Sequence, residues 1–439
     1  MCGPADSYPP RQYFVLTDAG KPVFNSRSMS RDPDELANII GIMQALISVF
    51  LDDRDKLRCI NAGKTRINFL VRSPIYYASV SSWGEPESVT RSHLEYLHLQ
   101  VLSIVSGGQL RRIFERRTNF DLGRLLNGAE ILIHSMLDRV QDDLAMSTSS
   151  LHCLRMDPGL RSRVASALLP SSRMKDLLYI ILIGRGRVIT LVRPRKHSIH
   201  PADLHILMNT AHSPSIVNSS ASASWLPMCL PKFDASAFVN AYITFLQPQP
   251  PTPPPENDLS AEGTSTDPSS VCLICVSGNG DFESVRTWCD TVYKKLDGDG
   301  TLGTILDSIR TGATEYSVSE LSIPGLRHFI YKSRAHVQIT VPVYEDPYDT
   351  DNEQRRLITL YQILHDNIHA KSGQETPLKL QYIKTQKESV MGWITQPFEL
   401  YITLSPWMPK SAAIHAANSV ARWVKKEESR LFLRDAPVF

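Results

Sequence analysis

The sequence predicts an α+β fold made of three related domains, each a five-stranded antiparallel or mixed sheet with flanking helices. Two observations support this prediction. A pair of apolar strands joined by a short polar turn occurs three times, at residues 11–26, 176–194 and 325–342. Each pair is followed by a proline beside acidic residues and then by a helical pattern. Self-similarity at such long spacing indicates repeated domains rather than a solenoid of short units.

The first predicted domain covers residues 1–150 and has the element order β-β-α-β-β-β-α-α. Its strands are β-branched and aromatic runs separated by Gly63 and Pro74. Asp32 is a predicted N-cap and Pro33 belongs to the first helical turn. After the hairpin, the predicted elements are a helix at 33–51, strands at 56–61, 65–71 and 75–82, and helices at 89–105 and 127–143.

The second predicted domain, 151–320, repeats this order around an interruption. Residues 247–270 are rich in proline, serine and acidic residues, which bury too little apolar surface to fold, so we predict a disordered insertion. Arg185 and Gly186 form a predicted two-residue hairpin turn, because primed turns require positive φ. The predicted strands are 177–184, 187–192, 225–230, 238–246 and 271–276, and the helices are 201–212, 282–296 and 301–310.

The third predicted domain, 321–439, is a compact copy of the same unit. Its predicted strands are 327–333, 337–341, 378–385, 388–395 and 398–404, and its helices are 351–370 and 411–432.

Composition excludes several classes of protein. The 439 residues carry 47 Lys and Arg against 45 Asp and Glu, so the net charge does not predict a nucleic-acid binder. No apolar run approaches the ~20 residues that span a bilayer, and no signal peptide or lipidation motif is expected. The seven cysteines lack framework spacing. Cys272 and Cys275 lie on opposite faces of a predicted strand, so we expect buried, reduced thiols in a cytoplasmic protein.

The motif search gives no sign of covalent chemistry. A phosphate-binding loop, a dinucleotide fingerprint and a nucleophile elbow are all absent from the sequence. His365 and His369 are four residues apart, as metal ligands on a helix often are, but no third ligand accompanies them. We therefore favour a surface or core histidine pair, and we predict no metal and no cofactor.

The helix at 33–51 has more apolar surface than one sheet can cover. Its predicted core stripe is Leu36, Ile40, Met43, Ile47 and Phe50. Beside it lies a shoulder formed by Ile42, Leu46 and Val49. The combined arc is roughly 200°, whereas about 100° suffices for a helix on its own sheet. The shoulder predicts a second covering surface, which is either the helix at 89–105 or a partner protein.

The remaining face of this helix consists of small and uncharged residues: Ala37, Asn38, Gly41, Gln44, Ala45 and Ser48. An exposed helix face normally carries Lys and Glu, and a mid-helix glycine costs roughly 1 kcal/mol relative to alanine. This face is either an ordinary solvent-facing side or a surface that another backbone approaches closely.

Several long segments resemble one family, the vacuolar fusion proteins called Mon-one. They include YFVLTDAGKPVFN, INFLVRSPIYYASVS, LLYIILIGRGRVITLVR and LYQILHDNIH. The resemblance covers nearly the whole chain and implies three longin domains. It also implies a heterodimer with a second tri-longin protein, Ccz-one, that acts as guanine nucleotide exchange factor for the late-endosomal and vacuolar Rab GTPase. The alternative is a tri-longin scaffold or tether without exchange activity.

The resemblance also assigns expected roles to residues. The partner subunit is expected on Ile42, Leu46 and Val49. The Rab is expected to contact Asn38, Gly41, Gln44, Ala45, Ser48, Asn61 and Lys64. Peripheral contact with anionic phosphoinositide membranes of late endosomes, multivesicular bodies and vacuoles is expected at Arg193, Arg195, Lys196, Lys425 and Lys426. An early-endosomal Rab is a further candidate recruiter.

Overall fold

The computed structural model describes residues 9–26, 33–117, 119–170, 176–219, 221–247, 270–373, 376–434 and 436–439. The predicted cap at Asp32 and nearly all of the predicted insertion at 247–270 lie outside these residues. The chain divides into two compact units. One consists of Met1–Thr148, Cys229–Ala237 and Tyr344–Thr395, and the other of Ser149–Met228, Phe238–Val343 and Gln396–Phe439. Within the described ranges, none of the helices has the length and apolar character that crossing a membrane requires.

The first sheet has five antiparallel strands, as predicted. They are β1 (Gln12–Thr17), β2 (Pro22–Asn25), β3 (Cys59–Ala62), β4 (Thr65–Arg72) and β5 (Ile75–Ser81). Their spatial order is β2-β1-β5-β4-β3, so β2 and β3 are the edges. Successive side chains alternate between the two faces. Phe14, Phe69 and Ala78 therefore belong to one core, and Tyr13, Leu70 and Tyr77 to the other.

The two faces of this sheet are covered unequally. Helix α1 (Pro33–Asp52) packs on the first core. Residues of α2 (Glu87–Ile104), α3 (Gly107–Arg116), α4 (Gly123–Leu126) and α5 (Glu130–Asp142) build the second core. The short helix α6 (Leu144–Ser147) follows α5. One helix is about 10 Å wide, and five strands span roughly 20 Å. On the α1 side, sheet residues such as Ile60, Ile67 and Val80 accordingly remain half-buried.

The second sheet repeats the first in its strand order. The helices and strands between residues 151 and 310 are, in chain order, β6 (Leu151–His152), α7 (Pro158–Ala167), β7 (Leu177–Gly184), β8 (Arg187–Val192), α8 (Pro201–Ala211), α9 (Pro214–Val217), β9 (Ala223–Leu230), α10 (Pro231–Asp234), β10 (Ala235–Leu246), β11 (Val271–Ser277), α11 (Phe282–Gly298) and α12 (Thr301–Arg310). Of the strands, β7 to β11 form the second sheet. The sheet order is β8-β7-β11-β10-β9. Helices α7, α11 and α12 pack on one of its faces. Arg185 and Gly186 have φ of 49° and 66°, which confirms the predicted turn.

All five strands predicted for the third domain are present. Its elements are β12 (Leu326–Ser333), β13 (Gln338–Thr340), α13 (Asp351–His369), β14 (Leu380–Lys384), β15 (Ser389–Ile394), β16 (Phe398–Leu404), α14 (Lys410–Lys426) and α15 (Glu428–Leu431). In the second unit, β12 lies between β13 and β16, and β6 adds a parallel strand beside β13. In the first unit, α13 packs on the antiparallel hairpin β14–β15.

The prediction of one continuous closing helix over 411–432 is wrong. The chain breaks at Glu427 and continues as α15. Beyond the break, the carbonyls of Ser429, Arg430 and Phe432 accept hydrogen bonds from the Arg161 guanidinium rather than continuing a helical ladder. The contact comes from a residue far away in sequence, so local periodicity gives no sign of it.

Candidate protein-interaction surface

Helix α1 binds its own sheet through a narrow apolar stripe. Ile40, Met43 and Ile47 are 4%, 5% and 1% exposed and pack against strand residues of the first core. Phe50, predicted to be part of this stripe, is 36% exposed, because it lies in the last turn of the helix. Burial of three large side chains is enough to fix the orientation of α1 on the sheet.

The outer face of α1 is apolar as well. Ile42 and Val49 are each 61% exposed, and Leu46 between them is half-buried. Residues seven apart differ by only about 20° around a helix, so Ile42 and Val49 lie on one line. Of the predicted shoulder, Ile42 and Val49 thus point away from the sheet, whereas Leu46 packs at the edge of the first core. Helix α2 packs on the opposite face of this sheet, so it cannot cover these side chains.

Small residues flank this apolar line. Asn38, Gly41 and Ala45 are exposed, and Ser48 is half-buried. A Cβ atom added at Gly41 would meet no other atom within 4 Å, so packing inside the described chain does not require glycine there. The stretch from Ala37 to Leu51 contains no charged residue. The outer face therefore has the composition of a contact surface rather than of a solvated helix.

Gln44 has a structural role in this region. Its side-chain amide donates a hydrogen bond to the backbone oxygen of Asp18, with an N···O distance of 3.2 Å. Gly20, in the same β1–β2 turn, has φ of 76°, and a Cβ there would lie 1.8 Å from the Gln44 oxygen. Gln44 thus connects α1 to the β1–β2 hairpin. Burial, and secondarily the charge of Asp18 in the same turn, raises the pKa of the Tyr76 hydroxyl.

Asn61 and Lys64 are exposed around the turn between β3 and β4. The Asn61 side-chain oxygen accepts a hydrogen bond from Arg66 Nε at 3.0 Å, and Arg66 also donates to the backbone oxygen of Glu85 just ahead of α2. Ile60 belongs to the core on the α1 side. Since side chains alternate along a strand, Asn61 faces the α2 side. The structure does not place the Asn61 side chain on the outer face of α1.

Comparison with known families assigns each third of the chain. Models of the first, second and third Longin domain of FUZ, MON1 and HPS1 match residues 11–136, 175–294 and 325–428. These matches confirm the predicted three-domain longin architecture.

Curated relatives cover nearly the whole chain. A Vacuolar fusion protein MON1 from Cryptococcus neoformans is 50% identical over 435 residues, which are 99% of this chain and 66% of that protein. The Vacuolar fusion protein MON1 homolog A of Bos taurus is 34% identical and is covered to 71%. The Protein SAND of Takifugu rubripes is 33% identical and is covered to 76%.

The chain belongs to the MON1 family of vacuolar fusion proteins. The predicted resemblance is thereby confirmed. The chain spans slightly less than two thirds of the Cryptococcus relative's length.

Two basic regions of this MON1-family chain stay separate. Arg185 and Arg187, at one end of β8, lie 3.4 Å and 3.9 Å from a Glu315 carboxylate oxygen. At the other end, roughly 20 Å away along the strand, Arg195 and Lys196 are exposed and Arg193 is half-buried. Arg185 and Arg187 are therefore separate from the predicted membrane residues Arg193, Arg195 and Lys196, and only those three are available as a basic surface. On α14, two exposed lysines form a further pair, Lys425 and Lys426.

The two cysteines and two histidines discussed in the sequence analysis lie on β11 and α13, not on α1. Cys272 and Cys275 are fully buried free thiols on β11, as predicted, and burial raises the pKa of each. The rings of His365 and His369 meet edge-on with centroids 4.4 Å apart. On the outer face of α1 the described residues include no activated acid, base or nucleophile. The arrangement is suited to binding.

Sequence reasoning missed the half-buried apolar residues beside α1, namely Ile60, Ile67 and Val80. They continue the apolar surface from the helix onto the sheet. Local alternation with polar neighbours around Ile67 and Val80 was the available signal, but only the unequal helix cover reveals that these positions stay partly open.

Proposed function

We propose that this chain is one subunit of a heterodimeric guanine nucleotide exchange factor that activates the late-endosomal and vacuolar Rab GTPase during endosome maturation, autophagy and vacuole fusion. One observation carries the proposal: the outer face of α1 presents Ile42 and Val49 at 61% exposure with no charge from Ala37 to Leu51. The names of the relatives support the link to vacuole fusion.

The proposed partner is a Ccz-one-like tri-longin subunit that lays an apolar helix against Ile42, Leu46 and Val49. Large exposed aliphatic side chains in a line are costly on a lone domain, and covering them is favourable by about 25 cal/mol per Å². A symmetric pair of longin sheets, each with one thinly covered face, would bury both faces.

The Rab is proposed to dock on the adjoining small-residue face, at Asn38, Gly41, Ala45 and Ser48, with Lys64 at its edge. Gln44 and Asn61, whose side chains are tied within this chain, contribute by fixing the local backbone. Exchange by this route needs no covalent chemistry. A factor that binds the nucleotide-free Rab more tightly must weaken nucleotide binding by the same factor, through linkage.

Peripheral membrane contact is proposed at Arg193, Arg195 and Lys196, with Lys425 and Lys426 as a second patch. Each basic residue near an anionic membrane contributes about 1 kcal/mol. An early-endosomal Rab is the proposed recruiter that adds to this weak attraction.

Release of a fluorescent guanine nucleotide from the Rab, catalysed by the purified heterodimer, tests the exchange activity. Gly41→Arg and Ala45→Arg place a long cation on exposed positions of α1 and should reduce release at least tenfold while the complex remains intact. Ser411→Arg, at an exposed position of α14, is the matched control and should release nucleotide at the wild-type rate.

Two results of this assay would count against the proposal. Wild-type release by both α1 variants would show that the Rab docks elsewhere. A stable wild-type heterodimer that releases no nucleotide from any Rab of a panel would favour the scaffold alternative.

A further inference from the structure

A single aromatic side chain protrudes from the second unit. Trp407 is 90% exposed, the highest value among the exposed large apolar residues of the described chain. The other tryptophans of the sequence are buried or half-buried. A tryptophan side chain in a core or an interface buries roughly 150–250 Å². The exposure of nearly all of this ring therefore indicates a contact outside the chain.

The Trp407 ring is presented by a hydrogen-bonded turn between β16 and α14. The Met408 N–H donates to the Ser405 oxygen at 3.1 Å, and the Ser405 N–H donates to the Gly325 oxygen at 2.8 Å. Pro406 occupies the turn position that favours proline, which leaves Trp407 at the next corner. Met408 packs over Gly325, where φ is 74° and an added Cβ would lie 2.9 Å from Met408 Cγ. The turn backbone is thus held in place while the ring points into solvent.

Strand pairing places this turn beyond one end of the strands of the second unit. Tyr331 on β12 pairs with Thr340 on β13, and Leu326, five residues before Tyr331, pairs with Leu404 at the end of β16. Because β12 is antiparallel to both neighbours, β16 leaves the sheet in the direction in which β13 runs. At about 3.4 Å per residue, Leu404 lies roughly 17 Å beyond the level of Thr340. The Trp407 turn follows directly.

Two exposed cations lie beyond the same end. Strand β6 is parallel to β13, and Cys153, the next residue after β6, forms a parallel bridge with Val188 on β8. Strand β8 therefore runs in the same direction as β13 and β16, and Val188 is level with Thr340. After the strand ends, Arg195 and Lys196 form the exposed corners of a turn. The two turns extend from β16 and β8, which have β12, β13 and β6 between them.

This end of the strands is basic. Lys410, which begins α14 three residues after Trp407, is exposed like the two cations of the other turn. The sequence contains no Asp or Glu at residues 187–202 or at residues 405–426. A lone convex aromatic ring beside cations suits the interface between water and a membrane. Tryptophan is enriched at that interface, and basic residues are attracted to anionic headgroups.

The second proposed basic patch lies at the opposite end. Helix α14 has 17 residues and is therefore about 25 Å long, so Lys425 and Lys426 are far from Trp407. Just beyond them, a Glu428 carboxylate oxygen lies 3.5 Å from His336 Nε2 in the turn between β12 and β13. A membrane that meets the Trp407 end of the strands leaves these two lysines on the far side.

We propose that Trp407 inserts into the headgroup region of an anionic membrane while Arg195, Lys196 and Lys410 bind its surface. This inference rests on the membrane contact proposed above and selects its first basic patch over its second. The cations attract the chain to the bilayer, and the ring adds an apolar contact that salt does not screen. The ring requires no particular headgroup, so the recognised feature is a negatively charged lipid surface.

Flotation of the full chain with vesicles of phosphatidylcholine and phosphatidylserine, in a ratio of about four to one, tests this anchor. Trp407→Ala should weaken vesicle binding about tenfold, because apolar ring surface returns to water. Trp407→Phe keeps a ring and should retain most of the binding. The matched control is Val337→Ala, at an apolar residue that is 39% exposed in the β12–β13 turn, and it should bind as wild type.

The two basic patches are compared in the same assay by pairwise alanine substitution. Arg195→Ala with Lys196→Ala should weaken flotation at least tenfold at low salt, since each cation near the surface adds to the attraction. Lys425→Ala with Lys426→Ala removes the same charge from the far end and should float as wild type. Equal losses in the two double variants would contradict the assignment of the membrane to the Trp407 end.

Brominated phosphatidylcholine in the vesicles reports insertion directly, because bromine quenches tryptophan fluorescence at short range. Wild type should be quenched when it binds, whereas Trp407→Phe should float without that quenching. The inference is overturned, and the basic contact alone remains, if Trp407→Ala floats as wild type and Trp407→Phe is quenched equally. Trp407→Ala that floats normally but loses its protein partner would assign the ring to a protein interface. A wild-type chain that binds no anionic vesicle overturns this inference together with the proposed membrane contact.

Discussion

Gly41 and Gly20 show how two glycines near one helix serve opposite purposes. Gly41 lies on the outer face of α1, where an added Cβ meets nothing within 4 Å. Gly20 has φ of 76° and sits against Gln44. The first glycine weakens a helix without any benefit visible in the described chain, whereas the second is required by the fold. The close approach of another protein proposed above would explain the first.

Gly41→Ala should raise the free energy of unfolding by roughly 1 kcal/mol, because alanine is the better helix former and has free space. Gly20→Ala should lower it, since φ is positive and Gln44 blocks the Cβ. Urea unfolding of the isolated chain measures both. Equal effects of the same sign would contradict this description of the α1–hairpin contact.

His98 makes folding sensitive to mild acid. Burial lowers the pKa of its ring from 6.5 to about 4, and its Nδ1 lies 3.0 Å from the Tyr77 hydroxyl. Because the unfolded chain binds the proton more readily, stability is complete above pH 6.5 and falls as the pH drops toward 4. The loss should be on the order of 2 kcal/mol at the lower end.

Thermal melts of wild type and His98→Asn between pH 7.5 and 4.5 check this prediction. The variant should lose less stability on acidification than wild type. His415→Asn, at an exposed histidine, should follow the wild-type curve. Parallel curves for wild type and His98→Asn would rule out His98 as the titrating group.

At the scale of elements, the long strands and helices were predictable. Short elements, and elements whose ends are set by contacts with residues distant in sequence, were not. Strands β7, β8 and β16 and helix α12 have the predicted bounds, because continuous apolar runs and clear turn residues delimit them. Helix α3 was missed, since only Leu110 and Phe114 of its ten residues are buried. Its Ser106 cap was the available signal.

The hairpin β7–β8 depends on its primed turn. Gly186→Val should lower the free energy of unfolding by about 1–2 kcal/mol, because a β-branched residue resists positive φ. Gly63→Val should lower the stability of the first sheet by a similar amount, because Gly63 also has positive φ, in the exposed turn before β4. Urea unfolding measures both, and an unchanged midpoint for Gly186→Val would contradict the turn assignment.

The candidate surface was predicted in composition but only partly in geometry. Periodicity identified Ile42, Leu46 and Val49 as surplus apolar residues. It could not show that Ile42 and Val49 point outward while Leu46 packs at the edge of the core, because that depends on how the helix sits on the sheet. The side chain of Asn61 faces the other way because the β3–β4 register pairs it with Arg66, which the sequence does not reveal.

At the scale of the whole molecule, the proposed membrane contact is electrostatic and should therefore be sensitive to salt. Flotation of the heterodimer with anionic vesicles should fall steeply with salt concentration and with the double change Arg195→Glu, Lys196→Glu. The charge-matched control is Lys294→Glu, Lys295→Glu on α11, where both lysines are exposed. Flotation that does not change with salt concentration would indicate apolar insertion into the membrane instead.

The central claim is that the outer face of α1 holds the partner subunit. Co-purification of the chain with its Ccz-one-like partner, using Ile42→Asp with Val49→Asp, measures this most directly. Ile414→Asp, at an apolar residue of α14 that is 43% exposed, is the control. We expect the double variant to remain folded by circular dichroism, because both positions are exposed, and to lose the partner, while the control retains it. A double variant that recovers the partner in wild-type yield would contradict the claim.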